Sequence, residues 1–142
     1  MNLTPAIIPW DALHVGMTID VPFTISADDM DSFRKLSGDY SRIHHDADFA
    51  KRNGFIHPVV YGALTVTRLS QLVGMHIPGD LGLATSWKID FNNPLYVGER
   101  AVMHAVLTHK SEATHTIKIK FDVTVGEKII ATGTAGSKLL NE

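Results

Sequence analysis

From Ile117 to Val125 the chain reads I-K-I-K-F-D-V-T-V, an almost strict alternation of apolar and polar residues. That period of two is the mark of a half-buried β-strand, here within a candidate segment from Thr114 to Val125. Leu83 to Phe91, Arg100 to Thr108 and Lys128 to Lys138 are strand-like as well. Gly126-Glu127 predicts a tight hairpin turn, and Asn93-Pro94 and Val97-Gly98 break the chain between earlier strands. The second half therefore predicts four antiparallel strands. Ahead of them, Thr18 to Ile25 is a further strand pattern interrupted by Pro22, which predicts an edge or a strand start.

Between these strands the period changes. Met30, Phe33 and Leu36 recur at helical spacing after Ser26, a good N-cap, with Asp28 and Asp29 where a helix start favours negative charge. Gly38 closes that helix, and a polar loop runs from Asp39 to His45. Asp46 is placed to cap a short helix over 47–52 that ends by Gly54. His57-Pro58 predicts an extended approach, because the residue before proline avoids the helical region. From Gly62 to Gly74 the chain is apolar at Leu64, Val66, Leu69, Leu72 and Val73, over most of a helix circumference, so a buried central helix is expected. One long buried helix with such strands predicts an α+β fold, an antiparallel sheet wrapped around that helix. With no repeat, low-complexity tract or linker, residues 1–142 are expected to form one domain.

Composition narrows the functional classes. Of 142 residues, 44% are hydrophobic and 20% charged, ample for a core, and the net charge of −2 gives no electrostatic footprint for nucleic acid. The absence of cysteine excludes disulfides, thiolate metal sites and cysteine nucleophiles. No window approaches 18 apolar residues, so no membrane span is expected. The first residues show neither a positive n-region nor a long apolar stretch, which makes the cytoplasm the default expectation.

Candidate chemistry concentrates between Leu36 and Gly74, where S-G-D-Y-S-R-I-H-H-D is followed by H-P-V-V-Y-G-A-L-T-V-T. Taken singly, Asp39 after Gly38 is a common turn residue, and His44 is an ordinary histidine. The cluster His44, His45, Asp46 and Asp48 fits no standard zinc spacing, so no metal is expected. Taken together, the blocks resemble the MaoC-like, hotdog-fold hydratase family. Its motif runs roughly S-x-D-x-N-P-[ILV]-H, then P-x-x-H-G at the start of the central helix. Ser37, Asp39, Ile43, His44, Pro58 and Gly62 match in order and spacing. Asn93 to Glu99, N-P-L-Y-V-G-E, resembles the family's P-x-[FY]-x-G-[DE] turn, and the likeness runs from about Pro22 to Lys138.

The resemblance implies reversible hydration of a trans-2-enoyl thioester to an (R)-3-hydroxyacyl thioester, with Asp39 and His44 as the acid/base pair. A carboxylate and an imidazole can share the base and acid roles around one water. Gly62 matches the glycine whose N–H polarises the thioester oxygen, as a helix N-terminus does well, although glycine there also permits close packing. Ser41, Arg42, Tyr61 and Thr67 are expected to support the site. No cofactor is implied, the carrier (coenzyme A or acyl carrier protein) being part of the substrate, and a homodimer or dimer of dimers is expected. Met75 and Leu81 are expected on the wall of the acyl tunnel. The sequence departs from the family pattern at three places: Ser41-Arg42 replaces Asn-Pro, Tyr61 replaces a histidine, and His57 stands where arginine is common. Arg42 either lowers the pKa of Asp39 from close range or points outward. The alternatives are a thioesterase on the same fold and a non-catalytic acyl-thioester-binding subunit.

Overall fold

The strands predicted by alternation pair into one antiparallel sheet in the computed structural model, which describes residues 3–142. They are β1 (Thr18–Phe23), β2 (Gly82–Phe91), β3 (Ala101–Ser111), β4 (Thr116–Val125) and β5 (Lys128–Leu139), in the spatial order β1-β3-β4-β5-β2. Every neighbouring pair is antiparallel. The β4–β5 hairpin turns at Gly126, whose φ of 56° lies in the left-handed region that glycine enters without strain. Pro22 sits on β1, an edge strand that pairs only with β3, so its missing N–H removes little from the ladder. β1 stops before Ile25, whose carbonyl instead accepts from Gly98 N at 3.0 Å.

The helices are α1 (Ala27–Ser37), α2 (Ala47–Arg52) and α3 (Gly62–Gln71), the last continuing through a wider π-type turn, Leu72–His76. α1 begins in a capping box: Ser26 Oγ accepts from Asp29 N and Asp29 Oδ2 accepts from Ser26 N, at 3.1 and 2.8 Å. It ends at Gly38 with φ 72°. Met30 is buried and Phe33 half-buried, but Leu36 is 86% exposed. At 3.6 residues per turn, a step of six carries a side chain well off the starting face. Asp46 caps α2 through Phe49 N at 2.8 Å.

α3 lies against the sheet. Leu64, Thr65, Leu69, Leu72 and Val73 are buried there, in one core with Met103 and Leu107 of β3 and Ile119 and Val123 of β4. The expected buried central helix is present, and Ala63, Thr67 and Ser70 are exposed along one side of it. These small residues recur at helical spacing, and the sheet covers only the opposite face. The arrangement, one antiparallel sheet around one central helix, is the hotdog architecture expected from the sequence. Among the described residues no helix is long and apolar enough to cross a membrane.

Candidate active site

Three backbone segments bring the predicted residues near one another. The loop after α1 carries Asp39, turns at Ser41 and forms a single 3-10 turn, Arg42–His44. The extended stretch before α3 is tied on both sides, Val59 N to Ile43 O at 3.0 Å and Val60 N to Leu95 O at 2.8 Å. The turn after β2 brings in Asn92 to Leu95. It is braced at its far end by Glu99, whose carboxylate accepts from Tyr96 N at 3.0 Å and pairs with Lys128 Nζ at 3.4 Å.

His44 is half-buried and held in a fixed orientation. Its Nδ1–H donates to the Val59 carbonyl oxygen at 2.7 Å, and its ring stacks on Tyr61 with centroids 3.9 Å apart. With Nδ1 committed to a carbonyl, Nε2 carries the lone pair of the neutral ring. Asp39 is half-buried beside this unit. Its Oδ1 accepts from Ser41 N at 2.9 Å and from the Ser41 hydroxyl through a short hydrogen bond. Those two bonds, with a smaller contribution from His44, hold the Asp39 pKa below the ordinary aspartate value against a weaker opposing effect of desolvation. Tyr61 joins the two residues. Its hydroxyl donates to the Asp39 carbonyl oxygen at 2.8 Å, while its ring lies between His44 and Phe33. Burial, reinforced by the Asp39 charge, raises the Tyr61 phenol above its usual value, so it remains a donor.

A cleft of about 500 Å³ opens between these segments, lined among others by His44, Val59, Gly62, Phe91 and Leu95. Its floor includes the N-terminus of α3. Tyr61 occupies the N-cap position but makes no side-chain cap, because its ring and hydroxyl are spent on His44 and Asp39. α1 and α2 are both side-chain capped, whereas α3 has no side-chain cap; Leu64 N donates to Tyr61 O at 2.9 Å, and Gly62 and Ala63 precede it at the start of the helix. Gly62 also has a packing role: a Cβ there lies 2.8 Å from Phe91 Cζ. The close-packing reading of this glycine thus has a structural basis.

The remaining sequence candidates divide. Ser41 is part of the Asp39 environment. Arg42 points outward, its Nη2 3.0 Å from Asp46 Oδ2 and its guanidinium 4.4 Å above the Phe49 ring, so Asp39 owes its lowered pKa to Ser41 and not to Arg42. Thr67 lies on the exposed side of α3 with its hydroxyl donating to Leu64 O at 2.6 Å, away from the cleft. Met75, expected on an acyl wall, lines a different cavity with Arg68. Leu81 does not line the cleft either. Asp39 is not itself a wall of the cleft; it approaches through Tyr61 and the His44 turn. Sequence reasoning missed the Val59 carbonyl, which orients His44, and Phe91, which covers Gly62. A backbone acceptor has no sequence signal, and Phe91 reads as an ordinary strand residue.

Similarity to known proteins bears on the family and the fold. The profile of the MaoC like domain matches residues 13–129. An (R)-specific enoyl-CoA hydratase of Aeromonas caviae is 30% identical over 132 residues, covering 90% of this chain and 96% of that protein. A mitochondrial 3-hydroxyacyl-[acyl-carrier-protein] dehydratase of Arabidopsis thaliana is 23% identical over 108 residues, 75% of this chain and 64% of that one. The solved structure of the A. caviae (R)-hydratase involved in PHA biosynthesis superposes with a TM-score of 0.85 at 27% identity, over 90% of this chain and 98% of that one. A profile match spanning most of the chain, joined to the same sheet-around-helix architecture, makes this protein a member of the MaoC-like hydratase/dehydratase family.

Proposed function

We propose that this protein catalyses the reversible hydration of a trans-2-enoyl thioester to the (R)-3-hydroxyacyl thioester. The observation that carries the reading is the pairing, in one cleft, of an oriented His44 with the uncapped start of α3 at Gly62. A base and a set of oxyanion donors facing one space is what addition to an enoyl thioester requires.

In the hydration direction a water lies between His44 Nε2 and Asp39. Nε2 removes a proton from it as the water oxygen bonds to C3. The C2–C3 π electrons shift toward C1 and the thioester oxygen gains charge, held by the N–H groups at the start of α3. The imidazolium then returns the proton to C2 on the same face, restoring the carbonyl. Asp39, kept ionised by Ser41, is a poor proton donor. It holds the water and stabilises the imidazolium while His44 carries the proton. Dehydration runs the same steps in reverse.

The carrier is coenzyme A or acyl carrier protein, both of which occur in the names of relatives. The working form in this reading is a homodimer. β2 supports it: this edge strand of 10 residues has no proline and exposes Leu83, Trp87 and Phe91, and unprotected apolar edges favour pairing.

The test follows enoyl-thioester ultraviolet absorbance with crotonyl-CoA, a longer trans-2-enoyl-CoA and the matching carrier-protein thioesters. Asp39→Asn and His44→Ala are expected to lose at least about a hundredfold in kcat while remaining folded, and the wild-type product to be the (R)-alcohol. Release of free thiol in place of hydration identifies a thioesterase. Binding of thioester without turnover identifies a non-catalytic subunit.

A further inference from the structure

We propose that a second cavity, built around Arg68, binds a small monocarboxylate with a short apolar tail. It lies on another flank of α3, has a volume of about 730 Å³ and shares no lining residue with the His44 cleft. That volume is in the range of small-molecule sites.

Arg68 is half-buried there with an incomplete set of partners. Its Nη1 donates to Gln71 Oε1 at 3.2 Å and its guanidinium lies 5.5 Å from the Phe23 ring centroid. Its Nε is buried and has no hydrogen-bond partner among the described residues. No carboxylate forms an ion pair with it among the described residues. Asp29 feels the guanidinium only at longer range and spends an oxygen on the Ser26 backbone, and Asp20, which lines the cavity, is engaged by His104 Nδ1 at 2.7 Å. The buried Nε is closed to a ligand, and the terminal nitrogens of a guanidinium without a carboxylate partner are what a planar carboxylate meets with two parallel bonds.

The lining selects among anions. Among the described residues Arg68 is the sole Lys or Arg on the cavity wall, and Asp20 offsets part of its charge, which disfavours a phosphate dianion. Leu3, Val21 and Met75 supply apolar wall for a short alkyl tail.

Isothermal titration calorimetry with sodium hexanoate, and separately with inorganic phosphate, tests the assignment on the whole chain. Wild type is expected to bind hexanoate and not phosphate. Arg68→Gln and Gln71→Glu are each expected to weaken hexanoate binding by on the order of tenfold or more, with enoyl-thioester turnover unchanged. Gln71→Glu nearly preserves side-chain shape and gives Arg68 an internal carboxylate, so loss of binding there without a lower melting temperature does not come from misfolding. Equal hexanoate binding by all three proteins means that it occupies another site, such as the His44 cleft, and overturns the proposal. So does absence of wild-type binding, phosphate binding in place of hexanoate, or full binding by Gln71→Glu. None of these outcomes depends on whether the His44 cleft proves to be a hydratase.

Discussion

At the residue scale the site depends on small groups that hold larger ones. Ser41 stands where the family pattern has asparagine, yet its backbone N–H and hydroxyl both reach Asp39 Oδ1. Because the folded-state pKa of Asp39 is lowered, its contribution to stability is present above the unfolded-state value and is lost as pH falls through the folded one. Ser41→Ala removes one of the two bonds. Its Asp39 pKa is expected to rise toward the ordinary value and its acid unfolding to begin at higher pH, measured by carboxyl-carbon NMR titration and circular dichroism. Tyr61→Phe keeps the stack on His44 but deletes the bond to the Asp39 carbonyl. A loss of about 1 kcal/mol is expected, read in steady-state kinetics as a several-fold lower kcat with KM little changed. An unchanged kcat makes Tyr61 a packing residue only. Asp39, His44 and Gly62 were marked out by resemblance to the family motif, as candidates. The outward turn of Arg42 was not, because its partners Asp46 and Phe49 became neighbours only once the 3-10 turn and α2 had formed.

At the element scale the three helix starts differ in how they are capped. Ser26 and Asp46 satisfy the first turns of α1 and α2, and both were readable as caps. α3 has an aromatic residue at its N-cap and no side-chain cap. What fixes α3 in place is apolar contact with the sheet. Leu69, with no exposed surface, is central to it. Leu69→Ala is expected to destabilise the fold by about 2–5 kcal/mol, measured by urea denaturation. A cost below about 1 kcal/mol means that the core closes around the vacancy and that this contact does not position the site. The period of α3 was plain in the sequence, but its exposed stripe of Ala63, Thr67 and Ser70 was not, because small residues carry little polarity signal.

At the scale of the whole molecule the two edges of the sheet differ. β1 is short and bears Pro22, whereas β2 is long and exposes Leu83, Trp87 and Phe91. Pairing of β2 with a second copy would cover that apolar edge and lie next to Phe91 and the cleft. Sedimentation is expected to find a dimer for wild type and monomer for Leu83→Lys/Trp87→Lys, with reduced turnover in the monomer. A wild-type monomer with full turnover removes the partner from the function.

The sequence by itself determined the strand and helix periods, the caps at Ser26 and Asp46, the hairpin at Gly126 and the motif spacing of Asp39, His44 and Gly62, since all of these are local or follow from order along the chain. The tertiary structure decided the orientation of His44 by the Val59 carbonyl, the ionisation of Asp39 by Ser41 rather than Arg42, the cover of Gly62 by Phe91 and the incomplete partnering of Arg68. All but the Ser41 contact, which awaits the turn of its loop, join residues distant in sequence or depend on which side of an element faces the core. Those relations arise only when α3 is packed into the sheet.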